Sequence, residues 1–222
     1  MTLLVTATTG GLMDLATVSL HIASFWPRPV TVIEADPDGG RLAARHDWDV
    51  RPGLVELTAA LRSHASGDFD RASVMRTYSA QVSVVVAPPA AEPVMAALTV
   101  LATRAEEIES LVGTDVIVNV GRVRPDSPAN ALIAAADRRL LVTRTDLEDI
   151  VSVVHRADHL RGLGAWSVLA AGGRYGTSEV DRAIEWPVIA DLLPDNPKSS
   201  SKLRKVVASL ADEPTVALAE AV

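Results

Sequence analysis

Cysteine is missing from this 222-residue chain, and lysine is missing from its first 197 residues. The first absence rules out a disulfide framework and a thiolate metal site, and leaves redox compartment unreadable from cysteine usage. The second leaves only Lys198, Lys202 and Lys205, so nearly all positive charge is carried by arginine. That bias, with abundant alanine, fits GC-rich coding. Net charge is −7 and the pI about 5.2, which argues against a broad basic footprint for nucleic-acid backbones, while leaving room for a local basic patch, and makes DNA an unexpected partner. No stretch approaches the roughly 20 apolar residues of a membrane span. The N-terminus shows no charged start, apolar run and small-residue cleavage site of a secretory signal. A cytoplasmic protein is expected.

Hydrophobic residues make up 48% of the chain, ample for a buried core, and the length suits one large α/β domain spanning 1–222. Apolar, β-rich runs at Leu3–Ala7, Val30–Ala35, Val82–Ala87, Asp115–Val120, Arg139–Thr143, Ser167–Ala171 and Val188–Leu192 alternate with helix-period stretches. The latter fall at Leu12–Ser24, Leu54–Ser63, Pro93–Val112, Ala129–Ala135, Leu147–Arg161, Ser178–Ile184 and Ser201–Leu210. Near-continuous apolar strands separated by helices predict an α/β, doubly wound, mostly parallel sheet of about seven strands with helices on both faces. Ligands of such sheets lie beyond the carboxyl ends of the strands. The informative segments are therefore Thr8–Ala16, Glu34–Arg41, Asn119–Ser127 and Ala170–Ser178.

The first segment is a strand, a Gly-Gly turn and a helix, laid out like a phosphate-binding loop. In such a loop, backbone N–H groups cradle the phosphates, a lysine reaches the β- and γ-phosphates, and a Ser or Thr hydroxyl holds Mg²⁺. The sequence here resembles the MinD/ParA family of deviant-Walker P-loop ATPases over nearly its whole length. The family motif Lys-Gly-Gly-x-Gly-Lys-Thr-Thr falls on Thr9, Gly10, Gly11, Leu12, Met13, Asp14, Leu15 and Ala16. Only the glycine pair survives. Asp14 stands for the P-loop lysine, and a carboxylate about 4 Å from a phosphate charge repels it by roughly 1–4 kcal/mol. Leu15 stands for the Mg²⁺-binding threonine. Read by itself, Asp14 is an acidic residue in the first turn of a helix, favoured by the helix dipole.

The stretch Val32–Ala43 resembles the family's switch I, whose acidic pair, matched by Glu34 and Asp36, sits by the metal and the attacking water; an Asp-Pro-Asp-Gly-Gly run alone reads as a strand-ending turn. Asp115–Arg122 resembles switch II, with Asn119 where the family carries an aspartate, followed by Gly121. An amide is a poor substitute near a hard Mg²⁺ ion. Ala170–Val180 and Trp186–Asp195 look like the late strands of MinD-like proteins from actinobacteria. Changes at Asp14, Leu15 and Asn119 together imply a pseudo-ATPase that keeps the P-loop NTPase-like fold and binds no nucleotide cofactor. The alternative is a divergent ATPase using Mg²⁺ and ATP, with Asp36 orienting water and an arginine in place of the lysine.

Arg41, Arg122, Arg124 and Arg174 all fall at one predicted sheet edge, where guanidinium groups could take an anion; pairing with Asp36, Asp38 or Asp126 is the plainer reading. His155 and His159 have the spacing of two metal ligands on one helix, but a solvated helix face explains them as well. The helix over 201–211 places Leu203, Val206, Val207 and Leu210 beside Lys202, Arg204 and Lys205, like the membrane-targeting tail of MinD; packing against the sheet explains the same pattern. The resemblance implies partners of protein chemistry: a homodimer, or a pairing with an active MinD/ParA relative, with peripheral membrane contact a minor expectation.

Overall fold

A computed structural model of the chain describes residues 1–10, 14–63, 70–192 and 197–212, and side chains within the last span from residue 200. The strands are β1 (Leu3–Thr8), β2 (Val30–Glu34), β3 (Arg76–Thr77), β4 (Val82–Val85), β5 (Asp115–Arg122), β6 (Arg138–Thr143), β7 (Ser167–Ala170) and β8 (Val188–Asp191). The helices are α1 (Leu15–Ser24), α2 (Leu42–Arg45), α3 (Leu54–Arg62), α4 (Ala91–Thr103), α5 (Ala105–Val112), α6 (Ala129–Ala135), α7 (Leu147–His155), α8 (Ala157–Gly162), α9 (Thr177–Ile184) and α10 (Pro197–Asp212).

One sheet runs in the order β3-β4-β2-β5-β1-β6-β7-β8. Every pairing is parallel except β3 with β4. Side chains alternate between two cores as strand geometry requires. On β1, Leu3, Val5 and Ala7 join the core under α3 to α9, while Leu4 joins the one under α1, α2 and α10. On β5, Val116, Val118 and Val120 take the first side and Ile117 the second.

The sheet has one strand more than the sequence pattern predicts. β3 is two residues long and joined to β4 by a tight turn, where Tyr78 N–H and Ser79 N–H both donate to the carbonyl of Val82 (2.8 and 3.1 Å), too short a run to show alternation. Two expected helices are each split. Arg104 separates α4 from α5 and Arg156 separates α7 from α8, each leaving helical backbone angles for one residue. The buried positions Val94, Ala97, Leu101, Ala105, Ile108 and Val112 keep their spacing across the first break, so periodicity reads straight through it. The expected helix start at residue 12 moves to Leu15, while residues 12 and 13 lie outside the described residues.

The final helix packs on the sheet. Leu203, Val207, Leu210 and Ala211 are buried with Ile189 and Ala190. Its end is tied down where Arg28 pairs with buried Asp115 (2.7 Å) and with Asp212 (2.5 Å). With that apolar face covered, the membrane-contact expectation loses its basis. Among the described residues no helix is long and apolar enough to cross a membrane.

Candidate functional site

The strand order changes direction around β1 and β5, since the chain moves from β1 to β2 on one side and from β5 to β6 on the other. Crevices at such points are where open α/β sheets bind ligands. The residues after β1, β2 and β5 meet here. Asp14, Leu15, Ala16, Glu34, Asp36, Gly39, Arg41 and Asn119 line a cavity of about 10 Å³, room for a single water.

Asp14 is the N-cap of α1. Its carboxylate accepts from the backbone N–H of Thr17 (3.3 Å) and from the Thr17 hydroxyl (2.7 Å). Arg45 of α2 forms an ion pair with the same carboxylate and also donates to the Thr17 hydroxyl. The aspartate therefore satisfies an otherwise orphaned helix-start donor and binds one helix to the next. Leu15 turns into the core with Leu20 and presents no polar group to the cavity.

Thr9 and Gly10 lead into this turn, and Gly11, Leu12 and Met13 lie outside the described residues. Thr9 is buried, its carbonyl accepting from the Ser152 hydroxyl (3.1 Å). At Gly10 a Cβ would lie 2.2 Å from the Asp149 carboxylate, so glycine is what lets α7 close against the loop. Burial pushes the Asp149 carboxyl above its ordinary range, with Glu148 and Asp146 adding to the effect and Arg144 opposing it.

Glu34 is buried to 1% exposure. One oxygen accepts from the N–H groups of Arg41 (2.7 Å) and Leu42 (3.1 Å), the other from that of Ala87 (3.1 Å). It caps α2 from a neighbouring strand and ties the turn after β2 to the end of β4. Burial raises its pKa, while the three backbone hydrogen bonds pull the other way. Asp36 accepts from the Asp38 N–H (2.9 Å) and rests on Gly121, where a Cβ would lie 2.2 Å from its oxygen. Gly121 has φ +64°, so both geometry and space call for glycine. Burial again raises the Asp36 pKa, with Arg41 and Arg124 acting against it. Asn119 is buried and its side-chain carbonyl accepts from Gly121 N–H (2.9 Å). An amide does this without adding a charge beside Asp36.

The four arginines do not form one cluster. Arg124 pairs with Asp38, as the plainer reading expects. Arg41 lines the cavity, and Arg122 is half-buried with its Nε unbonded. Arg174 follows β7, three strand spacings or about 14 Å from β5, and its backbone N–H donates to Asp146 (3.1 Å). His155 and His159 fall on separate helices, and among the described residues no group of three His, Cys, Asp or Glu side chains could hold a metal. Arg45, Thr17, Ser152 and Asp149 were not legible as site residues. Arg45 and Asp149 follow β2 and β6, and their position near the carboxyl edge is the one signal that could have found them.

Among the described residues, the charged lining of the cavity is three carboxylates and Arg41, with no lysine. Asp14, Glu34 and Asp36 surround the cavity with carboxylates; those of Asp14 and Glu34 are engaged on both oxygens by N–H groups, a hydroxyl or Arg45, and that of Asp36 accepts one N–H. Asp149 adds a fourth beside Gly10. A separate shallow groove of about 690 Å³ lies between α4 and α6, lined by Met95, Thr99, Pro125 and Asn130.

No family model matches the sequence, and no curated protein matches it. Solved structures do match in shape. The cell division ATPase MinD of Pyrococcus furiosus superposes with a TM-score of 0.67 at 16% identity, over 92% of this chain and 98% of that one. A ParA family ATPase from Chlorobium tepidum gives 0.66 at 13% identity, over 99% and 97%. A chain of the MinC:MinD cell division protein complex of Aquifex aeolicus gives 0.65 at 13% identity, over 92% and 86%. At these identities the likeness is one of fold: the chain has the MinD/ParA-like P-loop NTPase fold.

Proposed function

We propose that this protein is a MinD/ParA-like pseudo-ATPase that works through protein–protein contacts, as a scaffold, adaptor or positioning factor. The observation that carries this reading is Asp14, which stands at the position of the phosphate-contacting lysine and spends its charge on the cap of α1 and on Arg45. A phosphate entering here meets carboxylates instead of a lysine, and each 1.4 kcal/mol of repulsion costs a factor of about ten in affinity. The switch I-like segment needs no nucleotide to order it, because Glu34, the Asp38–Arg124 pair and the Asp14–Arg45 pair already hold it. MinD is bound to MinC in one of the similar structures, and a protein partner is the corresponding expectation here. Thermal unfolding with ATP, ADP or GTP, with and without Mg²⁺, tests the reading. A ligand at 100 times its dissociation constant stabilises by about 2.7 kcal/mol; an unchanged midpoint at millimolar nucleotide is expected, and an upward Mg²⁺-dependent shift would contradict it.

A divergent ATPase is the second reading, favoured by Asp36, a half-buried carboxylate on a water-sized cavity. It requires Mg²⁺-dependent phosphate release that Asp36→Ala abolishes.

A further inference from the structure

Aromatic residues make up only 4% of the chain, yet three rings meet on its surface beside the edge strand β3. His46 stacks on Trp48 with centroids 4.5 Å apart and planes at 22°. Tyr78, 42% exposed, meets both in T-shaped contacts at 5.5 and 6.2 Å. Arg76 of β3 holds the group in place: its guanidinium lies 5.4 Å from the centre of the Trp48 ring and donates to the carbonyls of Asp49 (2.8 Å) and Pro52 (3.0 Å). One guanidinium is therefore already seated on this cluster, and rings fixed in advance lose little freedom when a ligand arrives. Between His46 and Trp48 the chain turns at Asp47, whose φ is +53°, where the Trp48 N–H closes back on the Ala43 carbonyl (2.8 Å). Glycine takes that conformation at less cost, so the turn itself does not call for a carboxylate. Asp47 and Asp49 are both exposed, and neither forms an ion pair among the described residues.

We propose that this surface binds an extended, arginine-bearing segment of a partner protein, which adds to the sheet along β3. The edge supplies the backbone part. β3 is the outermost strand and pairs antiparallel with β4. Tyr78 N–H donates to the Val82 carbonyl, so the alternation of such a pair turns the N–H and C=O of Thr77 away from β4, and no described residue bonds them. A strand laid there sets every second side chain on the face that Arg76 and Tyr78 share, beside the rings and the two carboxylates. Charge selects the occupant: unpaired carboxylates attract a cation and repel an acidic chain, and the faces of Trp48 and Tyr78 reinforce that preference. Arginine suits the surface better than lysine, because its planar guanidinium both stacks on rings and pairs with a carboxylate. The edge strand is two residues long, so the main-chain bonding is brief and the contact weak. The proposal rests on the reading of a protein that works through contacts, and names the chemistry of one partner.

Fluorescence anisotropy of a labelled peptide with arginine at alternate positions, Gly-Arg-Thr-Arg-Thr-Arg-Thr-Gly, titrated with the full chain and no nucleotide, tests this. The expected result is saturable binding between about 10 µM and 1 mM, the range of weak complexes. The same peptide with glutamate for arginine should bind at least about tenfold more weakly, and N-methylation of alternate peptide nitrogens, which leaves the charge unchanged, should also weaken it. Asp47→Asn/Asp49→Asn and Tyr78→Ala, all at exposed positions, should each weaken binding about threefold or more. Glu92→Gln/Asp126→Asn makes the same change in net charge at exposed positions on the α4 and α6 side of the sheet, and should leave binding unchanged. No binding at about 1 mM, equal binding of the glutamate peptide, or indifference to N-methylation overturns the proposal. So does indifference to the Asp47 and Asp49 changes, an equal loss in the Glu92 and Asp126 control, or tighter binding of a proline-rich peptide without arginine. Nucleotide binding moves none of these readouts, so failure here is distinguishable from failure of the pseudo-ATPase reading.

Discussion

Asp14 caps α1 and in the same position holds Arg45 of α2 in an ion pair. Two helices on the same face of the sheet are thereby joined at the place where a related loop would hold phosphate. An N-cap aspartate is worth about 1 kcal/mol, and a part-exposed ion pair adds less than about 1. Asp14→Ala is therefore expected to destabilise by about 1–2 kcal/mol and Arg45→Ala by under about 1, measured by urea unfolding. Equal effects would mean that the ion pair, and not the cap, carries the stability.

Glu34 has no such substitute. Truncation to alanine strands the N–H groups of Arg41, Leu42 and Ala87, and each buried unpaired donor costs about 1–3 kcal/mol. Glu34→Ala should cost roughly 3 kcal/mol or more by the same measurement, with Glu34→Gln intermediate because its carbonyl still serves the Arg41 side. Amide exchange should accelerate at Leu42 and Ala87 first.

Gly121→Ala drives a methyl into the Asp36 carboxylate at a positive φ, and is expected to cost about 2 kcal/mol, of which the backbone part is about 1. Asp36→Ala removes the clash and not the backbone strain. The double variant should be less destabilised than the sum of the singles, with a coupling of about 1 kcal/mol or more in a double-mutant cycle.

Asp149 gives a pH signature. Its folded pKa lies above the unfolded value because burial disfavours the charge. In the window between those two values the native state binds more protons than the unfolded one, so this group's contribution to stability rises as pH falls toward about 4 and is least favourable at neutral pH. Asp149→Asn should raise the unfolding midpoint at pH 7, by under about 1 kcal/mol, and that advantage should vanish on acidification. An advantage constant across pH would show that the Asp149 charge is not strained.

Much of the architecture is written in local pattern. The runs at Leu3, Val30, Val82, Asp115, Arg139, Ser167 and Val188 are long and apolar enough to be read as buried parallel strands, and the breaks after them locate the edge where Asp14, Glu34, Asp36 and Asn119 meet. What escaped was non-local or too short. β3 has two residues, α2 has a single turn, and the helix breaks at Arg104 and Arg156 leave the apolar spacing intact. The partnership of Arg45 with Asp14 joins residues far apart in the chain and depends on how α2 is hung from Glu34, which no periodicity records. Arg174 was grouped with Arg41 and Arg122 because each follows a strand; the sheet order alone separates them.

Calorimetric titration of the purified chain with ATP, ADP and GTP, each with and without Mg²⁺, tests the central claim most directly. The carboxylate-lined cavity and the Asp14–Arg45 pair predict no binding heat up to millimolar nucleotide. Micromolar, Mg²⁺-dependent binding would contradict the account, because it would require arginine or backbone donors to outweigh the charges that Asp14, Glu34 and Asp36 bring together.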